Sequence, residues 1–275
     1  GWRDNAQWNG HTIPTTLSNE IMWYHRYNII AHANLLINGI AESGFTETPE
    51  LNEIKGQAYT YRAFAYLSLV QHFAKGYLIG NPSSDPGVPL LFSTESPFTS
   101  EPRSSVQAIY DQIELDLDAA ITAFESGTGR TGSGEAAKSQ LNINVAHGLK
   151  ARMALSMGDW ATAASEAIAA RDGYPLMGES DWLSGFNSNN LSEVIWGSNV
   201  IDAETTFFRS YFYLATNTFN GSQIRNNPKI ADRRMVDAIP ATDFRRQVFL
   251  PDAPNTNTSA ANGEGGWENN TNPLY

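Results

Sequence analysis

The 275-residue chain contains no cysteine. That absence excludes a disulfide framework, a thiol nucleophile and any zinc site built on thiolates. Positive charge is also short: 18 lysines and arginines stand against 29 aspartates and glutamates, for a formal net charge of −11. A field of that sign repels phosphate backbones and anionic membrane surfaces. The pairs Arg233–Arg234 and Arg245–Arg246 are too sparse to reverse it, so no nucleic-acid partner is expected. No run of about 18 apolar residues occurs, which leaves no candidate for a membrane-spanning helix. Signatures of catalysis are missing as well. There is no HExxH, no GxSxG and no GxxxxGK[ST], and no carboxylate pair is set apart by an apolar neighbourhood. The five histidines are dispersed; His25 and His32, seven apart, are two turns distant on one helix face. No catalytic residue, cofactor or metal is therefore expected.

What remains is a chain with 41% hydrophobic and 17% charged residues, enough apolar mass for a substantial core beneath an unusually uncharged surface. Asparagine is abundant and lysine scarce, a composition suited to neutral polar ligands. The first half reads as helical. Residues 20–41, "EIMWYHRYNIIAHANLLINGIA", are apolar on more than one face, which predicts a helix packed on both sides. In "RSSVQAIYDQIELDLDAAITAF", Val106, Ile109, Ile113, Leu117, Ala120 and Phe124 step by three or four. This predicts an amphipathic helix opened by a capping box of Ser104 and Gln107. The Gly-rich stretch 127–138 reads as a flexible connector. Beyond it a helical hairpin is expected: Ala146, Leu149, Met153 and Met157 on the first helix, Gly158 and Asp159 at the turn, and Trp160, Ala163, Ala167 and Ala170 on the second. Its length and small-residue spacing are those of a tetratricopeptide-like repeat. From Gly178 the texture becomes loop-rich, with one buried strand or extended segment expected at Glu193–Val200.

The segment "GQAYTYRAFAYLSLVQHFAKG", residues 56–76, carries an unusual density of rings. On a helix over 53–74, Tyr59, Ala63, Tyr66, Val70 and Phe73 share one face, a spacing that belongs to packing rather than to a ligand platform. The same stretch, followed by "DPGVPLL", closely resembles the signature of the SusD/RagB family of surface nutrient-binding lipoproteins from Bacteroidetes. Four further stretches resemble that family in order and spacing: "YNIIAHANLLINGI", "RSSVQAIYDQIELDLDAA", "AHGLKARMALSMGDWATAASEA" and "ADRRMVDAIPATDFRRQVFL". Together they cover about residues 20–250. Three departures accompany the resemblance. The glycine usual after the signature helix is replaced by Ala74, the lipid-carrying cysteine is absent, and typical members are longer. The chain is accordingly expected to lack an early N-terminal part and the closing helices.

The resemblance implies a mainly α fold: a tetratricopeptide-like helical layer carrying an irregular, loop-rich ligand-binding region. The expected division is an N-terminal loop segment at 1–19, the helical layer at 20–175 and the loop-rich region at 176–275. It also implies a non-catalytic glycan-binding protein, lipid-anchored in its full-length form on the extracellular face of the outer membrane. Such a protein delivers oligosaccharide to a TonB-dependent β-barrel transporter. Peptide as cargo, or a repeat protein that binds only other proteins, are the alternatives. Sugar rings stack their C–H faces on Trp and Tyr, while their hydroxyls take amides, guanidinium groups and carboxylates. Candidate ligand residues are therefore aromatics and polar groups outside the helical stripes. They are Trp2, Arg3, Trp8 and Asn9; Phe207, Tyr211, Tyr213, Arg225 and Asn226; and Trp267. Trp23, Trp160, Trp182 and Trp196 are assigned to packing.

Overall fold

The computed structural model describes residues 13, 15–93, 100–184, 188–199 and 232–249. Its elements are α1 (Leu17–Ser43), α2 (Pro49–Phe73), α3 (Val106–Glu125), α4 (Gly134–Lys138), α5 (Ile143–Met157), α6 (Trp160–Ala170), α7 (Glu179–Leu183), α8 (Arg233–Ala238) and a 3-10 turn, Phe244–Val248. Among the described residues the β contribution is a single isolated bridge, Pro86 to Ser105, and no helix is long and apolar enough to cross a membrane. The fold is mainly α, as expected. The chain divides into two compact units, one formed by Gly1–Pro175 with Ser192–Gly197, the other by Leu176–Leu191 with Ser198–Tyr275.

In the first unit α2 is the central element. Thr48 caps it, accepting a hydrogen bond from the Leu51 N–H at 3.2 Å, and Pro49 occupies the first turn, where no N–H is needed. It packs on α1 and on α3, which is why both of its faces are apolar. Ala63, Tyr66 and Val70 are buried, as are Ala58, Ala65 and Leu69 on the other side. Tyr59 and Phe73 are half-buried against the same core, so the ring-rich stretch is packing. All six stripe residues of α3 are buried. The cap, however, is Ser105, whose hydroxyl accepts from the Ala108 N–H. Ser104 is committed elsewhere: its N–H bonds the Val88 carbonyl and its carbonyl accepts from the Gly87 N–H. The cap therefore passes one residue on, and Gln107 instead donates to Asp111 and accepts from the Tyr77 hydroxyl.

Gly56 shows how closely α2 and α3 approach. A Cβ at that position would stand 2.7 Å from the Phe124 ring. Alanine normally improves a helix over glycine by about 1 kcal/mol. Here the ring must move, and overpacking of this kind costs about 1–3 kcal/mol. Gly56→Ala is expected to lower stability on urea denaturation; a stabilised variant would show that the contact is not tight.

The hairpin of α5 and α6 forms as expected. Gly158 (φ 79°) closes α5 in the left-handed region, and Asp159 caps α6 through the Thr162 N–H. Its inner line differs. Ala163 and Ala170 are buried, but the position between them is taken by Glu166, which bonds His147 at 2.6 Å and faces Lys150 at 3.6 Å. Ala167 therefore points outward. Trp160, assigned to packing, is 63% exposed: it stands at the hairpin tip, where α5 has already ended.

Two further expectations are corrected. The 127–138 stretch is not a plain connector. Its end forms α4, and Arg130 bonds the Gln140 carbonyl, the Tyr174 hydroxyl and the Ile195 carbonyl at 2.7–2.9 Å. Residues 193–199 form no strand. They are held by Arg130, by Trp196 Nε1–H to the Ser139 carbonyl and by the Gly197 N–H to the Lys138 carbonyl. These bonds satisfy the extended chain without a ladder. Trp196 meets Phe64 edge-on at 5.6 Å. Finally, α1 buries Ile30, Ala33 and Asn34, while its opposite face is open to solvent rather than packed.

In the second unit one device appears twice. Asp232 caps α8 and Asp243 caps the 3-10 turn, each accepting from the N–H two residues on and pairing with that residue's guanidinium, Arg234 or Arg245. Hydrogen bonds from the Arg245 side chain and backbone hold the Asp243 carboxyl at about 2. Trp182 of α7 stacks edge-on against Phe244 at 6.3 Å.

Candidate functional site

The residues that carry the sequence signature converge inside the helical unit. Arg62, on α2, points into the interface with α3 and is buried, as is Asp116. Its Nε and Nη2 donate to the two Asp116 oxygens at 2.8 and 2.6 Å, and its Nη1 donates to Asn34 Oδ1 at 2.8 Å. Asn34 passes the link on, donating to the Leu91 carbonyl at 2.7 Å. The Tyr66 hydroxyl donates to that carbonyl and accepts from the Leu91 N–H. Tyr27 bonds the Pro89 carbonyl and Asn38 the Phe92 carbonyl. Two helices, α1 and α2, thus hold residues 89–92 by main-chain atoms, with Asp116 of α3 anchoring Arg62 behind them. Burial pushes the Asp116 carboxyl above its ordinary range, against the pull of Arg62 and Gln112. Burial likewise raises Tyr66, to about 12. The side chains of this clasp bond one another and the backbone of residues 89–92. Sequence reasoning missed it: Arg62 and Asp116 were visible as motif residues, but a pairing 54 positions apart leaves no local periodicity.

A concavity of about 1460 Å³ lies between the first turns of α1 and the C-terminal end of α2. Its inner rings are already engaged. Trp23 lies 4.9 Å from Tyr27 and 5.0 Å from Phe73. The Arg103 guanidinium sits 5.6 Å over the Trp23 ring and donates to the Phe73 and Gly87 carbonyls. Tyr24, on the rim, is mostly exposed and touches His25 edge-on at 5.7 Å. Glu20 is the one carboxylate among the described lining residues, and Lys75 is paired with Asp85 at 3.2 Å. A second hollow of about 610 Å³ separates α1 from α2, lined by His25, His32, Gln57 and Tyr61 among others. Neither hollow brings a nucleophile to a base. No group of three metal-ligating side chains occurs among the described residues. The ligand candidates Trp2, Arg3, Trp8, Asn9, Phe207, Tyr211, Tyr213, Arg225, Asn226 and Trp267 all lie outside the described residues.

Helical pairs of this build define a tetratricopeptide-like repeat protein. Residues 2–131 match the family SusD-like_3, described as "Starch-binding associating with outer membrane". SusD-like protein P38 of Formosa agariphila is 30% identical over 115 residues, which is 41% of this chain and 20% of that protein. A SusD-like carbohydrate binding protein from Bacteroides vulgatus superposes with a TM-score of 0.73 at 22% identity, covering 89% of this chain and 50% of the other. A SusD superfamily protein from Bacteroides thetaiotaomicron gives 0.56 at 24% identity, covering 66% and 39%. Over residues 2–131 the chain is similar to the SusD-like family. It spans a fifth of the curated relative and half or less of these solved ones.

Proposed function

We propose that the protein is a non-catalytic glycan receptor of the outer-membrane surface. In this role it captures oligosaccharide and passes it to a TonB-dependent, SusC-like β-barrel transporter, held at the extracellular face by a lipid anchor in its full-length form. The observation that carries this reading is the match of residues 2–131 to a starch-binding, outer-membrane-associated family. The chemistry of the helical unit agrees with it. The buried Arg62, Asp116 and Asn34 are spent on the fold, and we place the ligand contacts outside the helical stripes. There Trp2, Trp8, Tyr211, Tyr213 and Trp267 supply stacking faces, Phe207 an apolar edge, and Arg3, Asn9, Arg225 and Asn226 the hydroxyl partners.

Isothermal titration of the chain against a panel of neutral oligosaccharides and a peptide library tests the proposal. Saturable binding of one glycan class is expected, with Trp8→Ala weakening it roughly tenfold or more at unchanged circular dichroism. Silence across the glycans, or binding of peptides instead, would overturn it.

A further inference from the structure

Glu53, on α2, is a buried carboxylate with half of its bonding capacity unused. The residue is 6% exposed. Its Oε2 accepts from the Gly129 N–H at 3.1 Å, while its Oε1 is buried and finds no hydrogen-bond partner among the described residues. A bare carboxylate oxygen in the interior is costly unless a positive charge nearby offsets it. The chain passes directly over this group. A Cβ on Gly127 would stand 2.5 Å from Oε2, and Gly129 turns with φ 73°, a conformation that glycine adopts at little cost. The next residue is Arg130.

Burial pulls the Arg130 guanidinium below its ordinary range, while Tyr174 and Glu53 act in the opposite direction. Its Nε, Nη1 and Nη2 donate to the Gln140 carbonyl at 2.8 Å, the Tyr174 hydroxyl at 2.9 Å and the Ile195 carbonyl at 2.7 Å. The Gln140 side chain also closes the loop on itself, accepting from the Thr131 N–H and donating to the Thr131 carbonyl. The chain leaves the helical unit after Pro175, returns for Ser192–Gly197 and leaves again. Tyr174 therefore stands just before the first departure and Ile195 in the middle of the return. The returning residues are half-buried and form no ladder. Besides Arg130 they are held by Trp196, on the Ser139 carbonyl, and by the Gly197 N–H, on the Lys138 carbonyl. The helices beneath keep a core of their own, with Tyr66, Leu69, Ile109, Ile113 and Leu117 buried. We propose that Arg130, seated over the charge of Glu53, is the clamp of a releasable strap: residues 192–197 come away as one piece, with the helices still folded, when either the guanidinium or that charge is lost. Local opening of this kind is drawn from the segments with few buried contacts. The inference is independent of what the loops bind.

The absence of cysteine makes the test direct, since one introduced thiol reports one position. Ile195→Cys places it in the strap, where the side chain packs on the core and Arg130 touches only the main-chain carbonyl. Ala163→Cys places it on the buried line of α6. The rate of alkylation by iodoacetamide is measured in each background. In Ile195→Cys, adding Arg130→Met is expected to speed labelling roughly tenfold or more, the loss of a hydrogen bond to a charged group. Adding Glu53→Gln, which keeps an acceptor for the Gly129 N–H but removes the charge, should speed it severalfold. The Ala163→Cys rate should stay within about twofold in both, because the helices do not open. Equal acceleration at the two positions would show that Arg130 holds the whole unit and would overturn the strap. Labelling of Ile195→Cys that ignores Arg130→Met overturns the clamp, and labelling that responds to Arg130→Met but not to Glu53→Gln overturns the part given to the carboxylate.

Discussion

Arg62→Ala is expected to lower the stability of the helical unit by about 3–5 kcal/mol, the usual consequence of removing one partner from a buried ion pair. The loss is not that of one contact. Asp116 would be left buried with Gln112 as its remaining side-chain donor, and Asn34 would lose the group that orients it toward Leu91. The effect has a pH signature. Asp116 is already shifted upward by burial, and without the guanidinium it shifts further. An acid whose folded pKa lies above its unfolded value favours the fold below the unfolded pKa and loses that contribution as pH rises through the folded one. The deficit of Arg62→Ala should therefore shrink on mild acidification. Arg62→Met combined with Asp116→Leu should recover much of the loss, since an apolar pair of similar volume leaves no stranded charge. Urea denaturation at two pH values reads all of this. A deficit below about 1 kcal/mol, or one that grows in acid, would show that the clasp does not hold residues 89–92 in place.

Trp196→Ala is expected to cost about 3 kcal/mol. The side chain is half-buried; it meets Phe64 and Tyr61 edge-on and donates Nε1–H to the Ser139 carbonyl at 3.1 Å. Trp196→Phe keeps a ring against Phe64 and strands only that carbonyl, a loss of about 1 kcal/mol. The difference between the two substitutions separates packing from hydrogen bonding. If alanine at 196 is as harmless as phenylalanine, the 192–197 stretch is not part of the helical unit.

Elements built on local regularity were legible in the sequence. The α3 stripe, the Gly158–Asp159 turn and the packing role of Tyr59, Tyr66 and Phe73 all follow from spacing of three and four, or from a cap. What sequence reading missed depends on groups far apart along the chain. Ser104 looked like a cap, but its backbone is drawn into the bridge with Gly87 and Val88. Trp160 and Ala167 matched a helical stripe, yet a hydrogen bond with His147 and the nearby Lys150 bring Glu166 onto the inner line. The stretch after Glu193 had the composition of a strand, but its hydrogen-bond partners come from a loop arginine and two carbonyls rather than a neighbouring strand. The signature itself marked Arg62 and Asp116, although their role is structural and appears only when α2 and α3 are side by side. The proposed ligand aromatics had the weakest signal, since a stacking role would impose no repeat on the chain.

The order of packing bears on how the fold is reached. α1 packs on α2, α2 on α3, α3 on α5 and α5 on α6, so each docking step joins near neighbours in the chain, the longest connection being that from Phe73 to Val106, and assembly can nucleate at one pair and propagate. The stretch bearing Trp196 is the exception, returning across roughly 130 residues to reach Phe64 and closing the costliest loop of the unit. It is expected to dock late and detach early, making this latch, rather than any helix, the point at which the unit begins to open.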